Sequence, residues 1–257
     1  MPQIILKNIS YSTKTINILS NITLNIAPST FTGIMGMNGS GKTTLLKLLC
    51  SAIKPTQGKI FLDKKNIKDY SVRELAHQVG VVFQNDDIQL DFSALQIVLM
   101  SRMSYQRLFS KDSPNDLIIA EDCMKKTNTL QLKDRLFTTL SGGERQRVLI
   151  ARALCQQTPV ILLDEPIASL DLKHQQDIIN LLKTIQNNEK RTIIMVIHDL
   201  SLALQYCDNI IALKDGKMFM YDTAYKVLTP KNIKNIFCIN TKIINNKHII
   251  IQNNENI

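Results

Sequence analysis

Eight consecutive residues, Gly36-Met37-Asn38-Gly39-Ser40-Gly41-Lys42-Thr43, match G-x-x-x-x-G-K-[ST] at every fixed position, and they narrow the fold more than any other feature of the chain. Such a turn belongs between a buried strand and a helix, and the flanks have that character. Residues 31–35 are a short apolar run. Leucines at 45, 46, 48 and 49 give an apolar side to a helix that starts at Lys42 and ends before Pro55. Gly36, Gly39 and Gly41 let the backbone curl with no β-carbon in the way, so that N–H groups along the loop, those of Asn38 and Ser40 included, point at phosphate oxygens. The helix adds its unpaired N–H groups and the positive end of its dipole. Lys42 supplies a cation for the β and γ phosphates, Thr43 a hydroxyl for Mg²⁺, and Thr44 is placed for the α phosphate. The motif predicts binding of a nucleoside triphosphate and leaves the reaction open.

Around this loop the pattern alternates between strand and helix. Residues 3–9 and 16–26 read as strands of a small antiparallel layer, and 58–63 and 79–84 as further strands. From 85 to 139 the periodicity is helical, which marks an inserted lobe; with the helix that follows, this helical subdomain spans about 85–157. The alternation then resumes with strand 160–163, helix 173–187, strand 192–197, helix 200–207 and a hairpin turning at Asp215-Gly216. Strands alternating with helices imply an α/β core, a mostly parallel sheet with flanking helices whose ligands sit at the carboxyl ends of the strands. Residues 1–237 are expected to form one domain. The Ile- and Asn-rich residues 238–257 are a short tail that closes as a last hairpin or stays loose.

Composition excludes little. With 44% hydrophobic and 21% charged residues the chain is ordinary for a globular protein. A net charge of +9 suits a nucleic-acid binder or a protein near an anionic membrane, but Lys and Arg are scattered and no basic run is interleaved with aromatics. No nucleic-acid partner is expected. No apolar run is long enough to cross a bilayer, and the N-terminus shows no secretory signal, so a cytoplasmic protein is expected. Five cysteines at irregular spacing, with no C-x-x-C, suggest reduced thiols rather than a disulfide framework or a zinc site.

Two further stretches carry chemistry. Residues 160–163 are an apolar run ending in Asp164-Glu165, which suits a central parallel strand delivering two carboxylates to the ligand edge. Asp164 is then a candidate for the Mg²⁺ shell and Glu165 for the general base that polarises an attacking water. Leu140-Ser141-Gly142-Gly143-Glu144 contains an S-x-x-E capping box, so a helix starts there. A cap explains Ser141 and Glu144 but not the two glycines between them. Glycine costs a helix up to about 1 kcal/mol, so Gly142 and Gly143 point to backbone contact with a ligand.

With these motifs in this order, the chain resembles the ABC (ATP-binding cassette) ATPases over about its first 230 residues. The resemblance implies a P-loop NTPase core of the ABC ATPase type, with an N-terminal antiparallel β layer and the inserted helical subdomain. It makes residues 36–44 the Walker A loop, Gln84 the Q-loop glutamine that meets the metal and the water, Asp164 and Glu165 the end of Walker B, and residues 140–144 the signature motif. Residues 168–171, ending in Asp171, resemble the D-loop, and His198 the switch histidine. Tyr11 resembles the aromatic that stacks on adenine, though a strand tyrosine equally serves packing. Where the family often has Thr-Ser after the Walker B proline, this chain has Ile167-Ala168. The implied cofactors are ATP and Mg²⁺. The implied assembly is a head-to-tail homodimer in which each ATP lies between one P-loop and the partner's signature turn, with Gln84 and the helical lobe passing the motion to membrane permease subunits.

Residues 98–102, the run 198–203, Lys214-Asp215-Gly216-Lys217 and Val227-Leu228-Thr229-Pro230 look most like cassettes of metal-chelate importers, which carry ferric siderophores, haem or vitamin B12; the same features also fit a generic cassette. That branch implies a position on the cytoplasmic face of the membrane and, indirectly, an extracytoplasmic substrate-binding protein. The competing readings are an exporter's cassette and a non-transport ABC ATPase. The latter would carry a long coiled coil, a zinc hook or a second cassette, and none is visible.

Overall fold

In the computed structural model, which describes residues 1–84, 91–105, 113–245 and 247–252, strands fall where the apolar runs place them. Residues 85–90 and 106–112 of the expected helical lobe and 253–257 of the tail lie outside the described residues. The chain divides into two compact units, Met1–Tyr70 with Thr192–Ile257, and Ser71–Arg191.

The first unit holds two sheets and the tail. Strands β1 (Ile4–Ser12), β2 (Asn17–Ile26), β4 (Gln57–Leu62) and β5 (Lys65–Asn66) form an antiparallel layer in the order β2-β1-β4-β5. Alternation sorts its faces: Ile4, Leu6 and Ile9 of β1, and Leu19, Ile22, Leu24 and Ile26 of β2, are buried. Strand β3 (Phe31–Met35) runs parallel to both β8 (Thr192–Val196) and β9 (Asn209–Lys214), and β9 turns antiparallel into β10 (Lys217–Thr223), giving the order β10-β9-β3-β8. Every residue of β3 and β8 is buried, which is why both read as nearly continuous apolar runs, Thr32 and Thr192 apart, rather than alternations.

Asp215 (φ 50°) and Gly216 (φ 73°) are both left-handed, as a two-residue hairpin turn needs. Only glycine fits the second position, because a β-carbon there would lie 2.4 Å from the Ile18 carbonyl oxygen. Helices α1 (Lys42–Leu49), α7 (Leu200–Tyr206), α8 (Ala224–Val227) and α9 (Pro230–Phe237) complete this unit. The tail forms an antiparallel hairpin of β11 (Asn240–Ile244) and β12 (His248–Gln252), which is tied to α7 by the Ile249 N–H donating to Ser201 Oγ at 2.9 Å.

The second unit pairs β6 (Val79–Val82) parallel to β7 (Val160–Asp164) and carries α2 (Val72–Ala76), α3 (Ala94–Leu99), α4 (Pro114–Lys126), α5 (Gly142–Cys155) and α6 (Leu172–Glu189). Ser71, Ser93, Ser113 and Ser141 each start a helix with a reciprocal capping box. Among the helices α3, α4 and α5 the core is mainly apolar, but Arg147 of α5 and the pair Arg102 and Asp116 are buried charges within it. Arg102 (6% exposed) pairs with Asp116 (6%) at 2.8 Å, and its Nη1 donates to the Cys155 carbonyl at 3.0 Å. Burial pushes the Asp116 carboxyl up, but hydrogen bonds from Arg102 and Ser113 outweigh it and hold the group below the ordinary carboxylate value. Among the described residues no helix is long and apolar enough to cross a membrane.

Candidate active site

The glycine loop between β3 and α1 has the geometry its spelling predicts. Gly36 (φ 154°) and Gly41 (φ 96°) allow no side chain: a β-carbon at Gly36 would lie 2.4 Å from the Leu213 carbonyl oxygen, and one at Gly41 2.5 Å from Leu19 Cδ2. The loop is thus seated between the ends of β2 and β9. Gly41 is the N-cap of α1 and offers no side-chain cap, so the first N–H groups of α1 receive nothing from a capping side chain. The Lys42 ammonium, 6% exposed, donates to the carbonyls of Gly36 and Met37, each at 3.0 Å, and so lies across the loop. Ser40 is 3% exposed and its Oγ has no hydrogen-bond partner. Asn38 and Gly39 are exposed; Thr43 and Thr44 are half-buried on the first turn of α1. A buried orphan hydroxyl and a buried ammonium at a helix start with no capping side chain form a cradle that fits polyphosphate.

Tyr11 is half-buried on β1, opposite Leu19, whose Cδ2 is the atom that crowds Gly41. This puts the tyrosine one strand away from the loop. His198 lies two residues beyond the end of β8, is exposed, and precedes Asp199, which caps α7 by accepting the Leu202 N–H at 2.8 Å.

In the second unit Asp164 ends β7 at 1% exposure, and Glu165 follows in a left-handed conformation (φ 51°). A non-glycine residue there carries strain, of the kind that collects at functional positions. Glu165 Oε2 accepts the Gln84 Nε2–H at 2.8 Å, so two residues 81 positions apart meet just beyond the ends of the adjacent strands β7 and β6. Gln84 and Asp164, both in this unit, offer oxygen ligands, the chemistry that suits Mg²⁺.

Ser141 caps α5. Its hydroxyl accepts the Glu144 N–H at 3.3 Å, and its own N–H donates to Glu144 Oε2 at 2.8 Å. That backbone hydrogen bond is the main reason the Glu144 carboxyl lies below its ordinary value. The two glycines differ. A β-carbon on Gly143 would meet Leu170 Cδ2 at 3.5 Å and the Ser169 carbonyl at 3.6 Å, whereas one on Gly142 would meet nothing within 4 Å. Nothing within its own unit therefore calls for a glycine at Gly142.

Asp171 has an architectural task as the N-cap of α6: it accepts the His174 N–H at 2.9 Å and faces His174 Nδ1 at 2.7 Å, and the backbone hydrogen bond leads the causes that hold its carboxyl low. The segment before it is fixed by Gln175, whose Nε2 donates to the carbonyls of Ile167 (3.1 Å) and Leu170 (3.0 Å). Reading the sequence did not single out Gln175, because a glutamine on a helix carries no motif.

The sequence pattern of the family described as ABC transporter matches residues 19–168, more than half of the chain. The chain belongs to the ABC transporter family. As a cassette of this family it binds and hydrolyses ATP. It is 37% identical over 237 residues to the hemin import ATP-binding protein of Pseudoalteromonas translucida, an alignment covering 89% of this chain and 90% of that one. Among solved structures it is similar to an ABC transporter assigned to the metal-chelate type, in an inward-facing conformation: TM-score 0.84, 26% identity, 99% of each chain covered. It is also similar to a dimeric ATP-binding cassette in a post-hydrolysis state with ADP and phosphate bound, with TM-score 0.79, 32% identity, and 86% of this chain and 98% of that one covered.

Proposed function

We propose that this cassette powers uptake of a metal chelate (a ferric siderophore, haem or cobalamin) through separate membrane permease subunits, working as a head-to-tail pair on the cytoplasmic face of the membrane. The observation that carries the pairing is the unexplained glycine at Gly142. The entrance of α5 is capped, exposed and cleared of side chains, yet nothing within its unit uses that clearance. A γ-phosphate held by a second copy of the chain is a ligand that would. The cassette of known dimeric structure to which this chain is similar supports the pairing, and similarity to a hemin import ATP-binding protein and to a metal-chelate transporter supports the cargo class.

In this reading Gly36, Asn38, Gly39, Ser40 and Gly41 present N–H groups to the phosphates, Lys42 leaves its two carbonyls for the β and γ phosphates, and Thr44 serves the α phosphate. Thr43, Gln84 and Asp164 would hold Mg²⁺, which when bound offsets phosphate charge. Glu165 accepts the proton of the attacking water, and His198 donates to the γ-phosphate. Tyr11 stacks on adenine, and Ser141, Gly142, Gly143 and Asp171 serve the partner's nucleotide. An extracytoplasmic binding protein delivers the cargo and never meets this chain.

The test is reconstitution with the permease in vesicles. ATP-driven accumulation of a haem or ferric siderophore delivered by a binding protein supports the reading. Full ATPase activity with outward cargo movement, or no association with any permease, contradicts it.

A further inference from the structure

Helix α7 starts at Leu200, two residues after His198, and it is short: seven residues, of which only Ala203 and Leu204 are buried. A helix of that length does not hold itself in place and takes its position from what it packs against. Among the described residues its main neighbour is β12 of the tail hairpin. The contact has a specific form. Ser201 Oγ accepts the Ile249 N–H at 2.9 Å and donates to the Ile249 carbonyl at 3.4 Å. Four residues along the helix, Gln205 Nε2 donates to the Lys247 carbonyl at 3.2 Å. Four helix residues advance about 6 Å and two strand residues about 6.8 Å, so the spacings match and the side chains of α7 take up the open edge of β12. Both backbone groups of Ile249 turn to α7, away from β11. A two-stranded hairpin is at best marginally stable alone, so hairpin and helix depend on one another.

The other side of His198 is anchored separately. The Ile197 N–H donates to the Ile34 carbonyl at 3.2 Å, continuing the pairing of β8 with β3. The backbone of His198 thus spans a fixed strand end and a helix start that the tail holds. We propose that Ser201 is a positioning residue for His198, and that the tail hairpin is the clamp through which it works: docking of β12 sets the start of α7, and with it the place of the imidazole. This rests on the role given above to His198 at the γ-phosphate. The phosphate loop is seated against β2 and β9 instead, so loss of the clamp falls on turnover rather than on ATP binding.

The experiment uses full-length variants in steady-state ATPase assays, with bound ATP counted per chain. Ser201→Ala removes the hydroxyl. Ile249→Pro removes the N–H it accepts, from the side of the tail and without taking a donor from the β11 ladder. Each should lower kcat about tenfold, the scale of one or two neutral hydrogen bonds, with KM and bound ATP unchanged, and Ser201→Thr should restore most of the rate. Combined, the two substitutions should cost no more than either alone. In a His198→Ala background Ser201→Ala should have no further effect. Wild-type kcat in Ser201→Ala beside an impaired His198→Ala overturns the clamp alone. An equal loss from Ser201→Ala with and without the histidine also overturns it, because Ser201 would then be merely structural. Wild-type kcat in His198→Ala itself strikes the role of the histidine, and the purpose of the clamp with it.

Discussion

Replacing Gly142 by alanine separates what the signature turn contributes to folding from what it contributes to catalysis. The position is the first of α5, immediately after the Ser141 cap, and an added β-carbon finds open space. An alanine there is worth part of the full glycine penalty of about 1 kcal/mol in a helix interior, so Gly142→Ala should stabilise the isolated chain by about 0.5 kcal/mol. For a protein of this size that raises the unfolding midpoint by about 1–2 °C. If a nucleotide phosphate held by a second copy approaches this backbone, the same methyl group pushes it away from preorganised N–H donors. Losing one such donor to developing charge costs about 10²–10³-fold in turnover. Thermal unfolding without nucleotide and steady-state ATPase assays read the two effects separately. The expected outcome is a slightly more stable protein that is nearly dead as an ATPase. Full activity would remove the phosphate from Gly142, and a lowered midpoint would show that the open space is absent.

Other substitutions probe neighbouring parts. Gly41→Ala forces a β-carbon against Leu19 Cδ2 at a left-handed φ of 96°, so it should cost about 1–3 kcal/mol in chemical denaturation and abolish nucleotide binding in calorimetry. Arg102→Met leaves Asp116 buried without its cation and should destabilise the fold by about 3–5 kcal/mol at neutral pH. Because the Asp116 carboxyl is held below its ordinary value, its contribution is present above the ordinary carboxylate range and fades as pH falls through the lowered value. The gap between wild type and Arg102→Met in denaturant midpoint should therefore narrow in acid, and a pH-independent gap would contradict the pairing. Gln175→Ala frees two carbonyls between β7 and α6 and should lower kcat with little change in the KM for ATP; an unchanged kcat would make Gln175 merely structural.

What the residues announce depends on how locally each feature is determined. Strands β3, β7 and β8 are legible because complete burial demands nearly continuous apolar runs, and the β9–β10 turn because Asp-Gly fits its left-handed positions. The phosphate loop is legible because crowding by the Leu213 backbone and the Leu19 side chain leaves glycine as the only choice at Gly36 and Gly41. By contrast, α2 and α9 are too short for periodicity to show, although Ser71–Glu74 spells the same capping box as Ser141–Glu144 and Thr229-Pro230 spells a helix start. The Gln84–Glu165 hydrogen bond and the Arg102–Asp116 pair depend on partners far apart or unpatterned in sequence, and only the folded chain joins them. Asp171 reads as a D-loop residue by resemblance, and its capping of α6 becomes visible only through His174.

The most direct test of the shared nucleotide pocket is the mass of the Glu165→Gln variant in saturating Mg·ATP, measured by sedimentation with bound nucleotide quantified in the same fraction. Removing the base should leave ATP uncut, and we expect a stable pair of chains holding two ATP. A single chain that stays monomeric while fully loaded with ATP would contradict the assembly, and continued hydrolysis at the wild-type rate would contradict the role given to Glu165.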